Sequence, residues 1–501
     1  MKTISRIVAL LLALTMVLGL GSVATAAEKD TLRIGLGRNV AALDGFTGNN
    51  TSFGIAFSIL DTLVQLNPDF TLRPGIATSW EQVDDYTWRF NIRQGVKFTN
   101  GEDLTAESCA YSINYMAGLD TKYQMYKQWG EAWPPEATAD GDSILIKTPA
   151  PNLAIPALLT RCGMLPLEAS QNEEYFKAPI GTGAYKLAKW DVGVQVVLEA
   201  NEDYWDGAPA IKTLIFDIMT NPTARTAAIK SGEYDFIENV PFDTALELEA
   251  KPENGLELVK TASTSMWYIY FNGYSTNPFI NNATFRQALL YAVDHKGIVE
   301  AILGGLTVSP QGISPMTIVG AVDEGGYPER DVEKAQQLAK EAGYNGEEIR
   351  VALGDSQFNN DVEVLEVILA QLEEAGFNVS YTEYDGATWS GQYKKTDAYD
   401  ISANGYGGTY TGDVEQYYTQ GVRNLGLQYD KAQELLHSIY TPGVTTESRE
   451  AALKEIMHVC WEEIPYLWAA EGVGLWAINA DLAGYEILPH NQFNFIKAYF
   501  K

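Results

Sequence analysis

Regular alternation of apolar and polar residues first appears at Leu32-Arg33-Ile34-Gly35-Leu36, which predicts a β-strand with one buried face. A polar, Gly-rich stretch runs on to Gly48. Strands are then expected at 62–66 and 87–92, the second presenting Trp88, Phe90 and Ile92 to one side. Thr105 stands where a side chain caps a helix, and Glu107 falls in the first turn, where the helix dipole favours negative charge. The glycines of Ile180-Gly181-Thr182-Gly183-Ala184-Tyr185 read as a turn into a strand. Further strands are predicted at 194–198 and 211–218, followed by a turn at Asn221-Pro222 and a short helix at 225–230 stopped by Ser231-Gly232. An aromatic and aliphatic strand at 266–271 precedes a helix at 285–293, and Asp294 is placed to cap the next helix, from Lys296.

Beyond residue 330 the pattern alternates between helix and strand. Asp331 opens a helix with Val332, Ala335, Leu338 and Ala339 on one face, and Gly343 ends it. A strand at 349–353 follows, then a longer helix at 362–375 ended by Gly376, then strand spacing at Phe377, Val379 and Tyr381. This βαβ rhythm predicts an α/β fold with a mixed sheet. The apolar, aromatic stretch 465–477 reads as strands returning to the first sheet.

Composition adds scale and compartment. The 501 residues allow about three domains, and the 57 aromatic residues, 11 Trp, 28 Tyr and 18 Phe, supply ample core material. Lys2 and Arg6, the apolar run 7–20 and Ala24-Thr25-Ala26 form the charged, apolar and small-residue parts of a cleavable signal peptide, residues 1–26. The run is too short to span a bilayer, which takes about 20 residues, and no Cys adjoins the cleavage point to carry a lipid. Export to the periplasm or cell surface is expected, without membrane insertion. With 65 acidic against 35 basic side chains, a net charge of −30, the chain would be repelled by nucleic acid and by anionic lipid.

Catalytic chemistry has little to work with. His295, His437, His458 and His490 are the only histidines, and H-E-x-x-H, C-x-x-C and G-x-S-x-G motifs are all missing. Gly181-Thr182-Gly183 lacks both the third Gly of a dinucleotide site and the Lys of a phosphate loop. Neither a metal site nor a cofactor is expected. His295, behind its capping Asp, reads as a solvated residue. Three cysteines allow at most one disulfide, and Cys109 with Cys162 is the pair to test; Cys109 and Cys460 read as small buried hydrophobes. The Tyr- and Gly-rich segment 403–413 is different, because glycines let a backbone approach a ligand and tyrosines offer a broad apolar face with a polar tip. The same segment fits equally well as a strand end and loop with ordinary aromatic packing.

Several short motifs recur in a fixed order: Pro74-Gly75-Ile76-Ala77-Thr78-Ser79-Trp80-Glu81, Tyr86-Thr87-Trp88-Arg89-Phe90-Asn91-Ile92-Arg93-Gln94-Gly95-Val96-Lys97-Phe98, Asn100-Gly101 and Leu104-Thr105-Ala106-Glu107. Gly181-Thr182-Gly183-Ala184-Tyr185, Asn201, Tyr204-Trp205-Asp206-Gly207 and Ser231-Gly232-Glu233-Tyr234-Asp235 follow, then Phe271-Asn272 and Arg286-Gln287-Ala288-Leu289 running into Tyr291-Ala292-Val293-Asp294. In these the chain resembles the family 5 extracellular solute-binding proteins, the dipeptide- and oligopeptide-binding components of ABC importers, over nearly its whole mature length.

That resemblance implies a bilobal periplasmic-binding-protein fold, a hinged clamp with an extra inserted domain. Domain I would comprise 27–47, 178–262 and 476–501, domain II the insertion 48–177, and domain III 263–475. It implies a non-enzymatic monomer that binds an oligopeptide or related small solute between domains I and III and delivers it to membrane-embedded ABC permease subunits. Arg38, Asn39 and Val40, then Gly405, Tyr406, Tyr410 and Asp413, with Trp389 nearby, are the implied ligand contacts. Two positions depart from the dipeptide binders of the family: the Asp that holds the ligand amine falls on Tyr410, and the Arg that holds its carboxylate, at the start of the 362–375 helix, falls on Val362 and Glu363. This points away from a strict dipeptide and leaves open a longer peptide, a sugar, a nickel complex or an opine. A secreted hydrolase is the alternative from another class.

Overall fold

In the computed structural model the described residues are 29–501, apart from 48, 120–128, 173, 253–254, 355–357, 359, 394, 410 and 489. The predicted signal peptide lies outside them. One ten-stranded mixed sheet runs through the molecule, in the order Val379–Glu383, Ile349–Leu353, Ile401–Tyr406, Leu256–Phe271, Tyr466–Asn479, Phe236–Ile237, Thr31–Leu36, Thr213–Ile218, Gln195–Ala200 and Tyr185–Asp191. Two parallel sets sit on either side of its centre. Thr31–Leu36 pairs in parallel with Thr213–Ile218 and Phe236–Ile237, and Ile349–Leu353 with Val379–Glu383 and Ile401–Tyr406. The helix Asp361–Glu374 supplies the crossover of the second set, the βαβ unit that the sequence rhythm predicts.

Two long antiparallel strands, Leu256–Phe271 and Tyr466–Asn479, join the sets. Their ladder runs from Leu256↔Asn479 to Ala262↔Val473, breaks, and resumes at Met266↔Glu471. Ser263, Thr264 and Ser265 fall in the break. The 465–477 stretch is thus one continuous strand, not several. Gly472 and Gly474 look like turn signals, but they make room instead: a Cβ at either would collide with the side chain of Ser265 or Thr261.

A separate four-stranded sheet, Ala77–Asp84, Thr87–Ile92, Ser143–Lys147 and Glu136–Asp140, packs against the helix Ala106–Ala117. Thr105 caps that helix as predicted, reciprocally with Ser108, and Asn114 exchanges two 2.8 Å hydrogen bonds with the backbone of Ala137. Phe90 and Ile92 are buried beneath it.

Two local expectations need correction. Asn221-Pro222 is a helix start, with Asn221 capping Ala224 N–H and Pro222 opening Pro222–Lys230. His295 is a core residue: its Nε2 lies 3.0 Å from the Leu290 carbonyl, its ring stacks on Tyr327 at 4.4 Å, and burial pulls its pKa down to about 4. Cys109 and Cys460 are buried as expected, and the pair to test does not form: Cys109, Cys162 and Cys460 are all free thiols, whose pKa values burial pushes up.

The Gly181-Thr182-Gly183 turn seats the first strand of this region on the end of the helix Asn50–Ile59. Gly183 N–H donates to the Ile59 carbonyl at 2.8 Å, and a Cβ on Gly183 would sit 2.5 Å from Ser58 O and Ile59 C. Gly183→Ala is therefore expected to destabilise the fold by about 1–3 kcal/mol, read as a lower denaturation midpoint without a change in slope.

Candidate functional site

A cavity of about 500 Å³ opens where the two parallel sets face each other. Its walls come from the carboxyl ends of parallel strands, the place where open α/β sheets leave a crevice. Gly37 and Arg38 follow Thr31–Leu36, Glu238 and Asn239 follow Phe236–Ile237, and Gly405, Tyr406 and Gly407 end Ile401–Tyr406. Asn360 and Glu363, at the start of Asp361–Glu374, complete the far wall.

The apolar surface is aromatic. Trp267 stacks on Phe358 with centroids 5.4 Å apart and planes 7° from parallel, and Trp476 is held by its Nε1–H donating to Thr261 Oγ1 at 3.1 Å. Tyr406 packs edge-on to Tyr417 at 4.9 Å and donates its hydroxyl to Gln416 at 3.0 Å. Such rings bind by area and stacking with little rotamer loss.

The charged groups divide into fixed and free. Glu238 is buried; it accepts Gly37 N–H at 2.9 Å and the Thr51 hydroxyl at 3.2 Å, and burial raises its pKa against the pull of Arg38. Arg225, also buried, donates to the carbonyls of Glu238, Met219 and Asn239 at 3.0, 2.5 and 2.8 Å, which spends its guanidinium on holding this corner. Asn239 there adopts φ 52°. Arg38 and Glu363 are exposed, and neither side chain hydrogen-bonds another described residue.

Of the residues singled out in the sequence, Arg38, Gly405 and Tyr406 line this cavity. Asn39 is exposed beside it and uses its carbonyl to accept from Asn49. Val40 is fully buried in the core around Ile34 and Phe216, since the chain turns inward after Asn39. Trp389 is also core: its indole occupies the space over Gly354 and leans on Tyr399 at 4.8 Å. Asp413 does not line the cavity. Its carboxylate accepts Arg449 Nη1 at 2.8 Å, and Glu415 accepts Nη2 at 2.6 Å, a buried arrangement of two acids on one guanidinium. Tyr410 lies outside the described residues. Sequence reasoning missed Glu238, Arg225 and Trp267. The polar Glu238-Asn239 pair directly after the apolar Phe236-Ile237 was the available signal.

No helix among the described residues is long and apolar enough to cross a membrane, and among them no group of three His, Cys, Asp or Glu side chains could hold a metal ion. The model of the bacterial extracellular solute-binding proteins, family 5 middle, matches residues 71–424. The chain belongs to that family.

The glutathione-binding protein GsiB of Salmonella typhi is 26% identical over 498 residues, 94% of each chain. Among solved structures, the ABC transporter substrate-binding protein CtaP of Listeria monocytogenes superposes with a TM-score of 0.83 at 19% identity, over 94% of this chain and 99% of that one. DppA of Helicobacter pylori, in complex with peptide STSA, gives 0.78 at 21%, over 94% and 98%. Family 5 proteins are ligand receptors without enzymatic activity, so the protein is a solute-binding receptor, and the hydrolase alternative is set aside.

Proposed function

We propose that the protein is an exported, monomeric receptor that binds a short peptide in the 500 Å³ cavity and presents it to the membrane subunits of an ABC importer. The observation that carries this reading is a strand edge that is only partly paired among the described residues. Ile401–Tyr406 pairs along its full length with Leu256–Phe271, but on its other side the pairing among the described residues is Ile401 and Ser402 with Val351 and Ala352. Among the described residues the backbone of Ala403–Gly405 has no further ladder partner and can pair with an extended chain, and Gly405, Tyr406 and Gly407 bring that edge to the cavity. The volume falls within the about 300–1,000 Å³ usual for small-ligand sites. Peptide and glutathione ligands of DppA and GsiB support the same class.

Export is supported by the residues 1–26 pattern. The three-domain partition is supported by the ladder break after Ala262, where the proposed boundary between domains I and III falls. Closure would then be a rotation about that break, driven by tighter ligand binding in the shut form. Thermal unfolding of the purified mature chain is expected to shift upward, in proportion to the logarithm of ligand concentration, with tri- or tetrapeptides or with glutathione. No shift with any of them, alongside one with a sugar or a nickel chelate, would overturn the peptide reading.

A further inference from the structure

Two exposed charges of opposite sign, neither hydrogen-bonded to another described side chain, face one cavity. Arg38 projects from the end of Thr31–Leu36, and Glu363 from the first turn of Asp361–Glu374; both are exposed and neither is tied to another described side chain by a hydrogen bond. The other two charged groups of the cavity are already committed. Glu238 holds Gly37 N–H and the Thr51 hydroxyl, and Arg225 is spent on three carbonyls. Apart from the attraction of Glu238 for Arg38, neither charge is met by a hydrogen-bonding partner among the described residues, and such an opposed pair is complementary to a ligand carrying both charges at a fixed separation. Glu238 lies close enough to attract Arg38, which biases that guanidinium toward the cavity wall while leaving its donors free.

Building on the peptide reading above, we infer that the ligand is a zwitterionic short peptide bound with its carboxylate on Arg38 and its ammonium on Glu363. This reverses the polarity that the family resemblance implies, in which the start of the Asp361–Glu374 helix holds the carboxylate. Each end makes one charge-assisted bond, so losing either is expected to weaken binding about ten-fold or more. The ligand also bridges the two walls, and closure depends on both ends.

The test crosses blocked peptides with charge-neutral variants. Wild type, R38Q and E363Q are each offered tripeptides and tetrapeptides in free, C-terminally amidated and N-acetylated forms, and retention is read by native mass spectrometry. Both positions are exposed, so the variants should fold as wild type does, which circular dichroism checks. Wild type should prefer the free peptides over both blocked forms. R38Q should lose the preference for a free carboxylate alone, and E363Q the preference for a free amine alone. The opposite assignment, or variants that keep both preferences, would overturn the orientation. A wild type indifferent to both blocks would overturn it while leaving a backbone-held peptide intact. A folded wild type that retains no peptide in any form would sink the peptide reading itself.

Discussion

Arg449→Ala is expected to be among the most damaging single substitutions in the protein, costing about 3–5 kcal/mol. Its guanidinium is the counter-ion of Asp413 and Glu415, both buried, and Tyr440 donates its hydroxyl to Glu415 as well. Without the guanidinium, two carboxylates face each other in a desolvated pocket. Burial already raises the pKa of Glu415, with Arg449 opposing it. In the variant Glu415, relieved of the opposing guanidinium, would take up a proton in the fold more readily than in the unfolded chain, so stability should recover as pH falls and worsen as pH rises. Chemical denaturation of wild type and variant between pH 5 and 8 checks both the size and the direction. The triad also fixes the far end of the segment that lines the cavity: Val319 N–H donates to the Gly412 carbonyl at 2.9 Å, and Thr411 donates to Asp413 at 3.1 Å. Asp413→Ala should therefore appear as lost stability, with any loss of affinity following from a loosened loop. It is the milder change, because Arg449 keeps Glu415.

Asp61→Ala carries the second large effect. The Asp61 carboxylate is fully buried and accepts from Trp205 Nε1 at 2.8 Å, Thr182 Oγ1 at 2.9 Å and Tyr204 OH at 3.1 Å. Truncation orphans three donors, and the expected loss is on the order of 3 kcal/mol after partial rescue by water. Burial lifts the Asp61 pKa to about 6 in spite of those hydrogen bonds. The folded protein therefore holds this proton more tightly than the unfolded chain, whose carboxyl titrates near 3.8. The stability it contributes is fully present below about pH 4 and is lost as pH rises through about 6. The gap between wild type and Asp61→Ala should thus be wider at pH 5 than at pH 8, as measured by urea midpoints; an equal gap at both would show that Asp61 does not titrate in this window.

Asp61 also explains why the family was legible while the site was only partly so. Thr182 belongs to one motif and Tyr204 and Trp205 to another, yet all three meet on one carboxylate. Arg93, from a third motif, lies over the Trp205 ring at 4.3 Å, and Asn201 ties back to the Gly183 carbonyl at 3.0 Å. Asn272 does comparable work elsewhere, donating to the carbonyls of Thr396 and Tyr399. The motifs are joints of the scaffold, where residue type follows from a single buried geometry. The cavity wall is different. Glu238 and Trp267 reach it only through long-range pairing, Phe236 with Ile478 and Trp267 with both Gly405 and Ala470, and no local spacing announces that. Trp389 and Val40 fail for the converse reason. Position along the chain suggested a ligand contact, but their bulk is used to fill the core. Helix caps such as Thr105, Asp294 and Asp331 were readable because capping depends on three or four consecutive residues.

The half-paired strand Ile401–Tyr406 has a cost as well as a use. An open strand edge on a protein surface is a template for unwanted self-association, and proteins usually blunt it with charge, proline or a covering element. Here the stretch without a second ladder partner among the described residues is short, from Ala403 to Gly405, and Gly405 lies in the wall of the cavity rather than on an open face. Concealment does the work that gatekeeper residues do elsewhere. The same backbone can stay sticky toward short chains and inert toward folded proteins, including other copies of itself.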